Sequence, residues 1–249
     1  KVVILEERGN WVKVTVKGQP TPRNDLGYPG WMPKRQLTYN TRLSRYERDA
    51  FVQVESPTTW LYNTDKLDSR FIEASYATRL PLLARRNGVI KVATLHGDKW
   101  LKATDASVYR SESAIPKPTG EKLVQSAKKF LRLPYLWAGT SGFGFDCSGL
   151  TYTVHKAHGI TIPRDTVTRK QLENAELAGG KAVQSYANLQ RGDLLYFAYE
   201  SGAGYIHHVG MYVGKGKMIQ SPNPSRGVEI VNIKRSGWIK EYAGAIRYY

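Results

Sequence analysis

Nine residues, Gly142-Phe143-Gly144-Phe145-Asp146-Cys147-Ser148-Gly149-Leu150, constrain this chain more than any other stretch, because they carry its only cysteine. One cysteine excludes an intrachain disulfide framework and any multi-cysteine zinc site, so the fold must be held by packing alone. The glycines deliver Cys147 to a segment of helical periodicity. Leu150, Val154 and Ala157 recur on one face, and Gly159 is a stop signal. A thiol at a helix N-terminus meets free backbone N–H groups and the positive end of the helix dipole, which is expected to bring its pKa down towards neutrality. A lone cysteine is commonly an inert small core residue. Asp146, Ser148 and the flanking glycines are a poor recipe for a core position, and Cys147 therefore reads as a nucleophile.

With 249 residues at 41% hydrophobic and 11% aromatic, the chain can bury real cores and has room for two or three small domains. No apolar run reaches the about 18 residues of a membrane-spanning helix. The N-terminus shows no signal peptide, which is taken as absent, removed or cropped. The net charge of +16 is divided evenly between residues 1–117 and 118–249. No arginine-rich arm or basic helix concentrates it, which argues against a nucleic-acid partner. A diffuse positive surface fits an anionic wall polymer or lipid surface, or solubility alone.

The N-terminal half reads as two small β modules. Val2–Leu5, a turn at Arg8-Gly9-Asn10 and Trp11–Val16 form a hairpin. The pattern returns as Val89–Ala93, a turn near His96-Gly97-Asp98, and Trp100–Ala103, which suggests a repeated module. Gly30-Trp31-Met32-Pro33 closes the first copy. Residues 1–40 hold too few strands to close a small barrel, so a further N-terminal piece is expected. Thr38 to Asp49 is polar and charged and reads as a linker. The second module runs over residues 50–112, and Ser111 to Thr119, with Pro116 and Pro118, is the clearest boundary.

Residues 118–249 carry the chemistry. After Thr119, a plausible N-cap, Leu123, Val124, Ala127, Phe130 and Leu131 give an amphipathic helix face; a further short helix is expected to open at Ile162-Pro163-Arg164-Asp165-Thr166. Strands then follow at Asp193–Phe197, Ile206–Val213, Lys217–Gln220, Val228–Ile233 and Ala245–Tyr249. Helices first and antiparallel strands after argue for an α+β domain.

Of the five histidines, His208 is the best candidate base. His96 falls in a turn, and His155 and His158 are placed on the solvated side of the Cys147 helix, without partner ligands for a metal. His207 and His208 are adjacent in a strand, so they are expected on opposite faces and not in one site; His207 is kept only as a candidate substrate contact. If Gly214-Lys215-Gly216 is a three-residue hairpin loop with Val213 opposite Lys217, Gln220 lies opposite Gly210, on the face of His208 and diagonal to it. Its amide carbonyl could then accept the imidazole N–H and fix the tautomer, the role Asn plays in papain-like proteases.

Asp-Cys-Ser-Gly after Pro-Tyr-x-Trp-x-Gly, then Arg-Gly-Asp-Leu-Leu-Tyr-Phe and His-Val-Gly-Met-Tyr-Val-Gly, resembles the NlpC-type cell-wall cysteine peptidases over Thr119 to Tyr249. The resemblance implies a papain-like α+β fold and no metal or organic cofactor; the two β modules ahead of it, with Gly30-Trp31-Met32-Pro33, resemble bacterial SH3-like barrels, the first incomplete. The peptidase resemblance implies cleavage of peptidoglycan stem peptides between γ-D-glutamate and a diamino acid, by Cys147 as nucleophile and His208 as base. The third triad member, most often His in that family, is here Gln220. Tyr135 would donate to the oxyanion beside the Cys147 N–H. Asp146, Ser148, Asp165 and Thr166 would line the substrate groove, although capping and turn roles account for the first, third and fourth nearly as well. Two SH3-like modules ahead of such a domain resemble the endopeptidases that act on stems with a free N-terminal L-alanine, and Tyr28 of the first module would then contact that terminus. The expected location is secreted or wall-associated, with a cytoplasmic recycling enzyme as the alternative. Two rival readings are an amidase or acyl-transfer enzyme on the same fold and a wall-binding protein without catalysis.

Overall fold

The computed structural model describes residues 1–39, 43–46 and 50–249. Strands β1 (Val2–Arg8), β2 (Trp11–Val16) and β3 (Tyr28–Pro33) form an antiparallel sheet in that order. The expected hairpin is present, but β1 runs on past Leu5 and only Gly9 and Asn10 make the turn, with Arg8 paired opposite Trp11 rather than in it. Of the expected linker, Asn40 to Arg42 and Glu47 to Asp49 lie outside the described residues.

The second module has seven strands: β4 (Phe51–Val54), β5 (Thr58–Tyr62), β6 (Arg70–Ser75), β7 (Arg79–Arg86), β8 (Val89–Thr94), β9 (Gly97–Lys102) and β10 (Ala106–Tyr109). They pair in the order β10-β4-β7-β8-β9-β5-β6. Alternating residues of these strands, Val52, Val54, Leu61, Ile90, Val92 and Leu101 among them, fill its core. The alternation is what lets so short a chain close around one apolar centre while its other face stays wet.

The C-terminal half opens with helix α1 (Gly120–Lys128), capped by the Thr119 side chain, which accepts from the Lys122 N–H. Leu123, Val124 and Ala127 bury their side chains as the spacing predicts, but the helix ends before Leu131, which is 41% exposed. Two short strands, β11 (Thr140–Ser141) and β12 (Gly144–Phe145), lead to α2 (Cys147–Ala157). No helix opens at Ile162. Residues 158–168 form an irregular segment, and helix α3 (Arg169–Glu173) begins at Thr168, whose side chain and that of Gln171 make a reciprocal capping box. Pro163 keeps Ile162 out of helical backbone, and the residues after it bond to other elements, the Arg164 N–H to the Pro20 carbonyl and the Thr166 hydroxyl to the Ile206 carbonyl. A six-stranded antiparallel sheet completes the domain. It contains β13 (Lys181–Ala182), β14 (Leu194–Ala198), β15 (Ile206–Gly214), β16 (Lys217–Gln220), β17 (Glu229–Asn232) and β18 (Tyr242–Arg247), ordered β13-β18-β14-β15-β16-β17. One face, with Leu194, Tyr196, Val209, Met211 and Ile219, packs on α1 and α2; the other, with Leu195, Phe197 and Met218, forms a separate core under Trp238 and Tyr242.

The histidines of α2 depart from expectation. His155 is fully buried, its Nδ1–H donating to the Thr151 carbonyl at 2.8 Å and its ring edge-on to Tyr248. His158 Nε2 lies 2.9 Å from the Ser126 hydroxyl. Both face α1 and the sheet because α2 is covered on more than one side, which a single apolar stripe does not announce.

The second module is built into this domain. Tyr76 and Ala77 belong to the same core as α1 and α2, and an edge-on series of rings runs Tyr76–Phe130–Phe145 towards Cys147. Gln53 Nε2 donates to the Ala157 carbonyl at 2.8 Å, and Arg79 donates to Gln53 Oε1 at 2.9 Å and to the Lys156 carbonyl at 2.8 Å. These carbonyls lie in the last turn of α2, where the helical ladder runs out and only the Gly159 N–H reaches back to that of Lys156, so the β module adds the remaining donors. Arg79→Met removes both of its bonds at this joint together with its 2.7 Å ion pair to Glu112, and strands the Gln53 oxygen. It is expected to cost about 2–4 kcal/mol in urea unfolding; an unchanged midpoint would mean that water satisfies these groups equally well.

Candidate active site

Asp146 starts α2. Its Oδ1 accepts from the Gly149 N–H at 2.6 Å, which places the Cys147 side chain on the first helical turn. The glycines on either side of Cys147 are required by close packing. A Cβ on Gly149 would sit 1.9 Å from the Gly139 carbonyl oxygen, and one on Gly142 would sit 2.1 Å from that of Pro57 in the second module. The Gly142 N–H also donates to Ser75 Oγ at 2.7 Å, so the approach to Cys147 is moored to the β module.

Cys147 keeps an open edge, yet the atoms packed round it dominate its proton affinity. Burial, then the neighbouring Asp146 carboxylate, push the thiol up to about 11, outweighing the backbone N–H groups of Val209 and Ser148 that favour the thiolate. This corrects the expected lowering by the helix terminus. His208, 3% exposed, is driven down to about 4, first by burial. At neutral pH the pair therefore rests as thiol and neutral imidazole.

The strands set the third group. Lys215 (φ 53°) and Gly216 (φ 67°) form a two-residue turn with Gly214 opposite Lys217, and a bulge at Val213 replaces the expected three-residue loop. Beyond the bulge Met211 faces Ile219, the register the sequence predicts, so Gln220 falls opposite Gly210. Gln220 Oε1 lies 2.8 Å from His208 Nε2. With its proton on Nε2 the ring leaves Nδ1 free to accept.

A second bulge overturns one expectation. Phe197 pairs with His208 and Ala198 with Ile206, so His207 is the extra residue and turns to the side of His208. Their ring centroids are 6.4 Å apart. His207 stacks on Tyr199 at 4.1 Å and its Nε2 lies 3.1 Å from Glu241 Oε2. Trp238 lies flat on His208, with centroids at 4.4 Å and planes at 20°.

On the other side of the thiol is a buried charge cluster that sequence reasoning missed. Arg164 Nη2 meets Asp146 Oδ2 at 3.1 Å and its Nη1 donates to Ser148 Oγ at 2.9 Å. The Asp146 carboxylate is thus committed to Arg164 and to the helix cap. The Arg164 N–H donates to the Pro20 carbonyl of the first module at 2.9 Å, and the Tyr152 hydroxyl donates to the Gly18 carbonyl. Asp165 is the more open carboxylate, its side chain 37% exposed with Arg23 Nη2 at 3.9 Å. The Tyr28 phenol is raised by partial burial, then by the charge of Asp165 and a hydrogen bond to it. The Thr166 hydroxyl donates to the Ile206 carbonyl at 3.2 Å, tying the segment to β15. Tyr135, bridged to Phe145, has its phenol raised by burial and then by the charges of Cys147 and Asp146, so it remains a donor beside the thiol.

Residues 132–247 match the NlpC/P60 family model, and residues 54–109 match that of the YKFC SH3b2 domain. The chain is 49% identical over its whole length to a γ-D-glutamyl-L-lysine dipeptidyl-peptidase of Bacillus cereus, covering 72% of that protein. It is 41% identical over its whole length to the Bacillus subtilis enzyme of the same name, covering 78% of it. The crystal structure of an NlpC/P60 family protein from Bacillus cereus superposes with a TM-score of 0.90 at 50% identity, over 99% of this chain and 79% of that one. With a cysteine on the first turn of α2, a histidine on the adjoining sheet and full-length identity to such relatives, the chain belongs to the NlpC/P60 family of peptidases.

Proposed function

We propose that the chain hydrolyses the γ-D-glutamyl–diamino acid bond of peptidoglycan stem peptides bearing a free N-terminal L-alanine, L-lysine included among the diamino acids. The observation that carries this reading is the 2.8 Å contact between Gln220 Oε1 and His208 Nε2, beside a thiol held by the Val209 N–H. It leaves His208 Nδ1 as the base. Because thiol and imidazole rest neutral, the proton passes from Cys147 to Nδ1 as sulfur attacks the γ-carbonyl. The Tyr135 hydroxyl and the Cys147 N–H receive the oxyanion; one such donor is worth about 2.7–4 kcal/mol. The tetrahedral adduct collapses, the C–N bond breaks, and the amine leaves with the proton from His208. Water, deprotonated by His208, then cleaves the thioester.

The leaving amine must reach His208, so the diamino acid lies on the Trp238 side. There a cavity of about 350 Å³ is lined by Arg226, Ser236, Gly237, Trp238 and Glu241. The free ammonium lies at the opposite end, on Asp165, with Tyr28 of the first module (residues 1–40) narrowing the groove. Residues 50–112 support the catalytic unit, 118–249, and the diffuse positive charge suits an anionic wall. No helix among the described residues is long and apolar enough to cross a membrane.

The test is mass spectrometry of L-Ala-γ-D-Glu-L-Lys and of its N-acetylated copy after incubation with the protein. Release of lysine from the free peptide, slowed at least about 100-fold by acetylation, is expected if a buried or half-buried charge pair is lost. Equal cleavage of both would remove the amine site, and cleavage of neither would return the amidase or wall-binding readings.

A further inference from the structure

The amide of Gln220 poses a problem that a histidine at this position would not. An amide can turn end for end, and only one orientation serves. With Oε1 towards His208 the imidazole holds its proton on Nε2; with the NH2 group there, Nε2 must accept, the proton moves to Nδ1, and the base is lost. Nothing in Gln220 itself selects between them. Glu229 does. It sits opposite Gln220 in the β16–β17 pair, and its Oε1 receives the Gln220 Nε2–H at 3.0 Å. A carboxylate accepts only, so it rejects the turned amide, whose oxygen would face it. Arg226 Nη2 lies 2.8 Å from the same oxygen and holds the carboxylate on its side of the strand.

We propose that Glu229 is a positioning residue for catalysis: it locks the Gln220 amide, and through it the His208 tautomer, so that Gln can occupy the third triad place. Gln220 is 1% exposed, so water does not compete for its amide. His207 and Trp238 adjoin the His208 ring, and Glu241 pairs with His207. The inference rests on the peptidase reading for its rate measurement but not for its spectroscopic one.

Nitrogen-15 NMR of labelled protein without substrate reads the tautomer directly. Wild type is expected to show the Nε2–H form of His208, and Glu229→Met a mixture with, or conversion to, the Nδ1–H form. Glu229→Gln, which can still accept but no longer forbids the turned amide, is expected to fall between them and guards against misfolding of the bulkier change. On the free tripeptide, kcat is expected to drop on the order of 10- to 100-fold in Glu229→Met with KM little changed, the scale seen when an orienting partner is removed. Gln220→His is expected to make activity indifferent to Glu229→Met, because no amide is left to turn. Unaltered Nε2–H signal in Glu229→Met and Glu229→Gln, or an equal loss of kcat from Glu229→Met in the Gln220→His background, would overturn the proposal. A wild type that shows the Nε2–H form yet cleaves no stem peptide would sink the peptidase reading while leaving the amide lock standing.

Discussion

Cys147→Ala and His208→Ala are each expected to lower kcat on the tripeptide by on the order of 10⁴- to 10⁶-fold, and the double variant by no more than either alone. The reason lies in the resting protonation. With the thiol pushed up to about 11 and His208 down to about 4, neither group is reactive by itself. In the proposed mechanism sulfur becomes a nucleophile only while the imidazole takes its proton, so removing either partner would remove the whole step, and groups that act as a unit are not additive. Residual turnover would come from the oxyanion donors alone. Quantifying released lysine by chromatography, with thermal melts to confirm folding, checks this. Additive losses would show that the two residues act independently and would contradict a shared proton.

Acid is expected to unfold the protein earlier than its carboxylates alone require. His155 is driven by burial from 6.5 to about 4 and His208 to about the same value, so both are neutral in the native state where the unfolded chain would protonate them. Above pH 6.5 neither state is charged and the pair is neutral to stability. As pH falls from 6.5 towards 4 the unfolded state binds protons that the native state refuses, and stability drops by about 3 kcal/mol for each ring. Together that is a large part of the about 5–15 kcal/mol typical of a folded protein. Urea midpoints between pH 7.5 and 4.5 read the slope. His155→Phe keeps the packing on Tyr248 and is expected to flatten the curve by roughly half; an unchanged slope would mean that His155 is protonated inside the fold.

Much of the site was legible because it rests on local rules. The Asp146 cap, the first-turn thiol, and the same-face register of His208 and Gln220 follow from helix capping and from strand periodicity. What escaped depended on departures from periodicity or on distant segments. The bulge that turns His207 to the side of His208 is a one-residue irregularity in β15, and the sequence signals only two adjacent histidines in a strand. Arg164 stands in a Pro-containing stretch that reads as a helix start, and its partners Asp146 and Ser148 lie 18 and 16 residues before it. The helix-terminal effect on Cys147 is outweighed by burial, which the residues flanking it in sequence do not display. Glu229 reveals its role only once the β16–β17 register is known.

The joint between the β module and α2 has a consequence for how such a chain can be recombined. If the barrels were detachable anchors, the peptidase half could be grafted behind any wall-binding unit through a linker. Here Gln53 and Arg79 complete the last turn of the helix that begins with Cys147, and Ser75 and Pro57 pack on the loop that leads into it. A graft would arrive with an unfinished helix end and a loosened entry to its thiol. The module is part of the tooling that shapes the active site, and the unit to transplant is the pair.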